Sequence, residues 1–119
     1  MTARPLEAVV SGTPEGSRIA LHGQVDRDAD AAMADAYRQA TTLGSGAVEL
    51  EFSDVDYINS TGIALIVRLL SDARRDRRDV TARGLTEHYR EIFRITRLSD
   101  FMTLLDDVPA PAGSDGGPQ

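Results

Sequence analysis

The chain has 119 residues, of which 41% are apolar and 27% charged, and its formal net charge is −6. That length suits one domain able to bury roughly two-thirds of the surface its unfolded chain exposes. Cysteine is absent, which excludes disulfides, thiolate zinc sites and thiol nucleophiles, and the acidic balance argues against nucleic acid as the main partner, because phosphate binding needs a basic face.

Leu6–Val10 is a short apolar run closed by Ser11-Gly12-Thr13-Pro14 and Gly16, the pattern of a strand entering a hairpin. Arg18–Val25 alternates, with Ile19, Leu21 and Val25 opposed to Arg18, Ala20, His22 and Gln24, which is strand periodicity. Asp26 or Asp28 can cap a following helix, in which Ala29, Met33, Ala36, Tyr37 and Ala40 recur at helical spacing until Gly44-Ser45-Gly46. Ala47–Phe52 alternates again, and Ser53–Ile58 reads as a connection holding the acidic pair Asp54 and Asp56. Asn59-Ser60-Thr61-Gly62 then precedes a stripe of Ile63, Ile66, Val67, Leu70 and Ala73, so a helix starts here and ends in the arginines of residues 74–78. Val80 and Ala82 form a short strand before Gly84. Thr86 caps a helix with Tyr89, Ile92, Phe93 and Thr96 on one side, and a final strand is expected within Met102–Leu105. Two strands followed by alternating helix and strand imply a mixed sheet with helices packed on it.

Residues 108–119, VPAPAGSDGGPQ, hold three of the five prolines and three of the ten glycines, and read as a disordered tail. The longest aliphatic run, Ile63–Val67, is far short of the ~20 residues that span a bilayer. Glu7 lies ahead of the short apolar patch in MTARPLEAVVSG, so this is no signal peptide. The expectation is a cytoplasmic protein without membrane insertion.

Several constellations could carry chemistry. Asp54-Val55-Asp56 after a strand fits a magnesium-dependent phosphatase or a phosphorylatable aspartate, yet every basic residue is arginine, and these chemistries normally use a lysine ammonium. A solvated acidic loop is the preferred reading. His22 and His88 are the only histidines and read as surface residues; a metal site would need a third ligand, and no Gly-x-Ser-x-Gly elbow surrounds Ser60. The arginines of residues 74–78, interrupted by Asp76, read as a solvated helix end. Ser60 differs from these: a hydroxyl at an exposed helix start can take a phosphate, about −1.5 to −2 charges, which free amides and the helix dipole tolerate.

The run FSDVDYINSTGIALIVRLL, with IALHGQVD before it and YREIFRITRLSDF after it, resembles the STAS domain of bacterial anti-sigma factor antagonists across residues 6–107. The resemblance implies an α/β single domain with a mixed four- to five-stranded sheet and helices on one face. It implies that Ser60 is the regulated phosphorylation site, with Thr61 the second choice, and that Asp26, Asn59, Ser60, Thr61, Gly62 and Ile63 form the partner-binding surface. Asp26 matches the end of a Gly-x-x-Asp turn, and Gly62 a glycine that leaves room for close backbone approach. It implies further that the protein is not an enzyme and needs no cofactor. Its partner would be an anti-sigma factor serine kinase, bound when Ser60 is unmodified and released when it is phosphorylated, with a metal-dependent serine phosphatase resetting the switch. The family usually has Asp before the serine, where this chain has Asn59. That departure supports an alternative, a constitutive STAS scaffold or accessory subunit of a stress-sensing or transport complex. Asp54 and Asp56 are expected to make the unmodified loop acidic and so to suit an arginine-bearing partner.

Overall fold

The computed structural model describes residues 4–105; the expected tail, and the last two residues of the expected domain, lie outside them. A hairpin opens the fold. β1 (Glu7–Thr13) pairs antiparallel with β2 (Gly16–Val25), and a two-residue turn joins Thr13 to Gly16, whose amide donates to Thr13 Oγ1 at 3.0 Å. A 3₁₀ turn (Arg27–Ala29) leads into α1 (Asp30–Leu43), then β3 (Ala47–Ile58), α2 (Ser60–Arg75), β4 (Val80–Arg83), α3 (Glu87–Ile95), a second 3₁₀ turn (Leu98–Asp100) and β5 (Thr103–Leu104).

The five strands lie in the order β1-β2-β3-β4-β5, with β2 through β5 parallel. Each parallel crossover steps one strand in the same direction. Crossovers of one hand therefore deliver all three helices to one face of the sheet. That face carries Ile19, Leu21, Val25, Val48, Leu50, Phe52, Val80 and Ala82, all buried, and the helices add Met33, Tyr37, Ile66, Leu70 and Phe93 to the same core. Phe93 meets Phe52 edge-on, with ring centroids 5.9 Å apart. The opposite face is polar. There Glu49 Oε2 accepts from Arg18 Nε at 2.9 Å and from Arg83 Nε at 3.0 Å, so three strands are linked by one carboxylate.

Three sequence expectations change in the structure. First, Ser53–Ile58 belongs to β3. The pairing with β2 slips between Ala20 and His22 and again between Gly23 and Gln24, so β3 carries two extra residues there. Each slip resets which side chains face inward, and the alternation that ends at Phe52 is lost although the strand continues. Second, the buried stripe of α2 is Gly62, Ile66, Leu69, Leu70 and Ala73, while Val67 is exposed; on α3 only Phe93 is fully buried and Thr96 is exposed. Third, the arginines after α2 are not simply solvated. Arg78 reaches back to the carbonyls of Gly44 (2.5 Å), Gly46 and Thr41 (both 3.3 Å), closing the end of α1 onto the start of β4.

A second tie joins the same helices. The Tyr37 hydroxyl donates to Asp76 Oδ2 at 2.7 Å, and burial together with this bond pushes the phenol's pKa above its ordinary value. Tyr37→Phe is expected to lower unfolding stability by about 1 kcal/mol, the net worth of one such bond, measured by urea denaturation.

Candidate functional site

β3 ends at Ile58 and α2 starts at Ser60, so Asn59 alone makes the turn. Asn59 is a complete N-cap: its Oδ1 accepts from the Gly62 amide at 2.8 Å, and its carbonyl accepts from Ile63 at 2.9 Å. Its own amide donates to the Val25 carbonyl at 3.2 Å, which fixes the turn to the end of β2. The preceding amide, that of Ile58, donates to the Tyr89 hydroxyl at 3.0 Å, so α3 supplies the acceptor at this end of the bulged strand.

Gly62 is what lets α2 sit so close. A Cβ at this position would lie 1.9 Å from the Val25 carbonyl oxygen and 2.7 Å from its carbon. Both neighbours are backbone, so neither can swing aside. The sequence expectation of close backbone approach at Gly62 is thus met by a specific partner, the last residue of β2. Asp26 follows directly; its carboxylate accepts from the Asp28 amide at 3.0 Å and caps the 3₁₀ turn rather than α1 itself. Asp30 at the start of α1 meets Arg68 of α2 at 3.5 Å.

The structure therefore brings Asp26, Asn59, Ser60, Thr61, Gly62 and Ile63 to one junction. Ser60 and Thr61 are exposed on the first turn of α2, Asp26, Asn59 and Ile63 are half-buried, and Gly62 is buried. The helix N-terminus beneath Ser60 contains no acidic residue in its first turn. An anion at Ser60 would meet free amides and the positive end of the dipole.

The acidic pair beside the junction is exposed, as expected from the sequence, but it lies on β3 rather than in a loop, and it is paired. Arg4 clamps both carboxylates, with Nε to Asp56 Oδ2 at 2.9 Å, Nη2 to Asp56 Oδ1 at 3.0 Å and Nη1 to Asp54 Oδ2 at 3.2 Å. His22 adds a contact from Nδ1 to Asp54 Oδ2 at 2.8 Å; the ionised carboxylate can only accept, so Nδ1 carries the hydrogen. Arg4 lies before the first apolar run, where the sequence gives no pattern to mark it. Its position is held by the backbone: the Arg4 carbonyl accepts from Gln24, and Gly23, at φ +104°, leaves room for the Pro5 carbonyl. The hydrogen bond from Arg4, then that from His22, hold the Asp54 carboxyl below its usual pKa. Among the described residues no group of three or more His, Asp and Glu side chains is placed to hold a metal ion, and no helix is long and apolar enough to cross a membrane.

Comparison with known proteins agrees with this architecture. The sequence matches the family described as Mlab, STAS domain, over residues 8–106. No curated protein matches it. Among solved structures, an anti-sigma factor antagonist from Mycobacterium paratuberculosis superposes with a TM-score of 0.67 at 18% identity, over 87% of each chain. The anti-sigma factor antagonist SpoIIAA in its unphosphorylated form gives 0.61 at 17% identity, over 93% of this chain and 94% of that one. The phosphorylated form of SpoIIAA, a Bacillus cell fate determinant, gives 0.58 at 16% identity, over 84% and 92%.

Two outcomes test the junction. Gly62→Ala is expected to lower stability by about 1–3 kcal/mol, the usual range for overpacking against atoms that cannot move, read by urea denaturation. The Asp54 carboxyl should titrate below ~3.9 in an NMR pH series and return towards that value in Arg4→Ala. Because its folded pKa is depressed, Asp54 favours the folded state above the unfolded carboxylate pKa, and this contribution fades as pH falls through the lower folded value.

Proposed function

The chain belongs to the STAS domain family, and from that premise we propose that it is an anti-sigma factor antagonist: a protein-binding module switched by phosphorylation of Ser60. The observation that carries this reading is Ser60 itself, exposed at the first position of a helix whose start is fixed by Asn59, Gly62 and Val25. Unmodified, the surface of Asp26, Asn59, Ser60, Thr61, Gly62 and Ile63 docks an anti-sigma factor that is also a serine kinase. The kinase transfers the γ-phosphoryl group of ATP to the Ser60 oxygen, and docking is lost. A metal-dependent serine phosphatase restores the hydroxyl. The chain supplies the acceptor and the docking surface, while the nucleotide and the catalysis belong to its partners, and the whole cycle is cytoplasmic. One of the similar solved proteins exists in both unphosphorylated and phosphorylated forms, which supports the same chemistry here.

The magnitudes suit a switch. Phosphate adds about −1.5 to −2 charges at pH 7. Two unit charges ~4 Å apart interact by about 4 kcal/mol at an effective dielectric near 20, whereas ~1.4 kcal/mol already changes affinity tenfold. Phosphoserine facing a partner carboxylate or bound nucleotide would therefore release the partner, while the helix dipole keeps the modified domain folded. The Arg4 clamp matters here too. One guanidinium offsets only one of the two carboxylates, so Asp54 and Asp56 leave the junction acidic and suited to an arginine-bearing partner, and a phosphate at Ser60 would add to that charge.

Asn59 favours a second reading, a constitutive STAS scaffold or accessory subunit of a stress-sensing or transport complex, because the neutral cap lacks the carboxylate usual beside the phosphorylated serine. The two readings separate in one set of measurements. The purified protein is incubated with its cognate kinase and ATP, and phosphate is located by mass spectrometry. The switch predicts phosphate on Ser60, its loss in Ser60→Ala, and at least about tenfold weaker partner binding by Ser60→Asp. Partner binding unchanged by Ser60→Asp, with no phosphate incorporated, supports the constitutive subunit.

A further inference from the structure

The far end of α2 carries a second feature that the junction does not use. α2 stops in a Schellman arrangement: the Arg78 amide donates to the Ala73 carbonyl at 2.8 Å and the Arg77 amide to the Arg74 carbonyl at 3.1 Å. The residue directly after the cap, Arg77, has φ +59°. Glycine is the usual occupant of that position, because a Cβ there crowds the backbone. An arginine in this conformation is strained, and its side chain lines a groove of about 940 Å³ with Arg74, Arg78, Ser99, Phe101 and Met102.

The acids around this groove are largely engaged elsewhere. Asp72 and Asp76 meet Arg75, at 3.0 and 3.9 Å, Asp76 also takes the Tyr37 hydroxyl, and Asp100 takes Arg97 at 2.7 Å. Arg78 is committed to backbone carbonyls. Arg74 lies over the Phe101 ring, 5.5 Å from its centre. Among the described residues neither Arg74 nor Arg77 forms an ion pair, and Asp79 is the one unengaged carboxylate in the lining. Beside the arginines the groove continues as a smaller apolar cleft of about 300 Å³ lined by Val67, Leu70, Leu98 and Phe101, with Val67 46% and Phe101 52% exposed.

We propose that this groove is a docking site for an acidic segment of a partner protein, with carboxylates on Arg74 and Arg77 and an apolar side chain in the Val67–Phe101 cleft. Charge complementarity selects the occupant. In a chain of net charge −6, two guanidinium forks without an ion-pair partner among the described residues line one groove, against the single unengaged carboxylate of Asp79, and such forks match carboxylates bidentately. The apolar cleft would give nothing to a bare inorganic anion, and two guanidinium forks are few against the many phosphate contacts that hold a duplex nucleic acid. The site is separate from the Ser60 junction. Arg74 lies fourteen residues along α2, about 21 Å at ~1.5 Å per residue, so either site can fail without the other.

The test uses the full chain and a fluorescein-labelled amphipathic peptide of about twelve residues, with Asp and Glu on one face and Leu on the other; its control carries Asn and Gln in their place. Fluorescence anisotropy should show at least about tenfold tighter binding of the acidic peptide than of the control, weakening as salt is raised. Arg77→Gly is the decisive variant. It relieves the strained backbone, so the melting temperature should rise by a few degrees, while the preference for the acidic peptide falls. Arg74→Gln should lose the same preference. Equal binding of the two peptides, no binding of either, or a preference that survives Arg77→Gly would overturn the proposal. So would binding to phosphatidylglycerol vesicles with the same arginine dependence but no peptide binding, or self-association in analytical ultracentrifugation abolished by the same variants.

Discussion

The contact between Gly62 and the Val25 carbonyl is the constraint on which the rest of the molecule depends. It joins the end of the second strand to the first turn of the second helix with no side chain between them. Once that contact is made, Asn59 must turn sharply, its side chain is in place to cap the helix, and Ser60 and Thr61 face outward because the buried side of the turn is already occupied. The same contact sets where α2 lies over the sheet, and thus where Ile66, Leu70 and Ala73 meet the core.

Charge is arranged around this helix in an uneven way. At its start, the nearby carboxylates of Asp54 and Asp56 are held by Arg4 and His22, and the one guanidinium offsets part of their charge. At its end, Arg74 and Arg77 have no ion-pair partner among the described residues, because Asp72, Asp76 and Asp100 serve Arg75, Tyr37 and Arg97 and only Asp79 is left. The chain's overall −6 is therefore a poor guide to the far end of the helix. Local pairing, which depends on residues distant in sequence, decides what each surface offers a partner.

Much of the fold was legible in the sequence because its signals are local. Period-two alternation marked β2 and the first half of β3, and capping residues marked the starts of α2 and α3, where Asn59 and Thr86 do accept the expected amides. The junction was legible for the same reason, with Asn, Ser, Thr and Gly adjacent to one another, and the family resemblance added the fold. What escaped was set by longer reach. The bulges that carry β3 on to Ile58 arise from its register with β2, and no pattern within residues 53–58 encodes them. Val67 fits the helical stripe as well as Ile66 does, yet no element covers it. Arg4 finds its partners some fifty residues away, and Arg77 shows its strain only through its backbone angle.

The bond from the Ile58 amide to the Tyr89 hydroxyl has a consequence for how Ser60 can be reached. With Val25 holding the turn from one side and Tyr89 holding the strand just before it from the other, this segment cannot peel away and thread through a narrow enzyme cleft as an extended ribbon. Under the phosphorylation switch proposed above, a kinase would instead have to recognise the intact three-dimensional surface around the hydroxyl. A short synthetic fragment spanning Ser60 would then make a poor substitute for the whole domain, and loosening the tertiary structure would protect the serine rather than expose it.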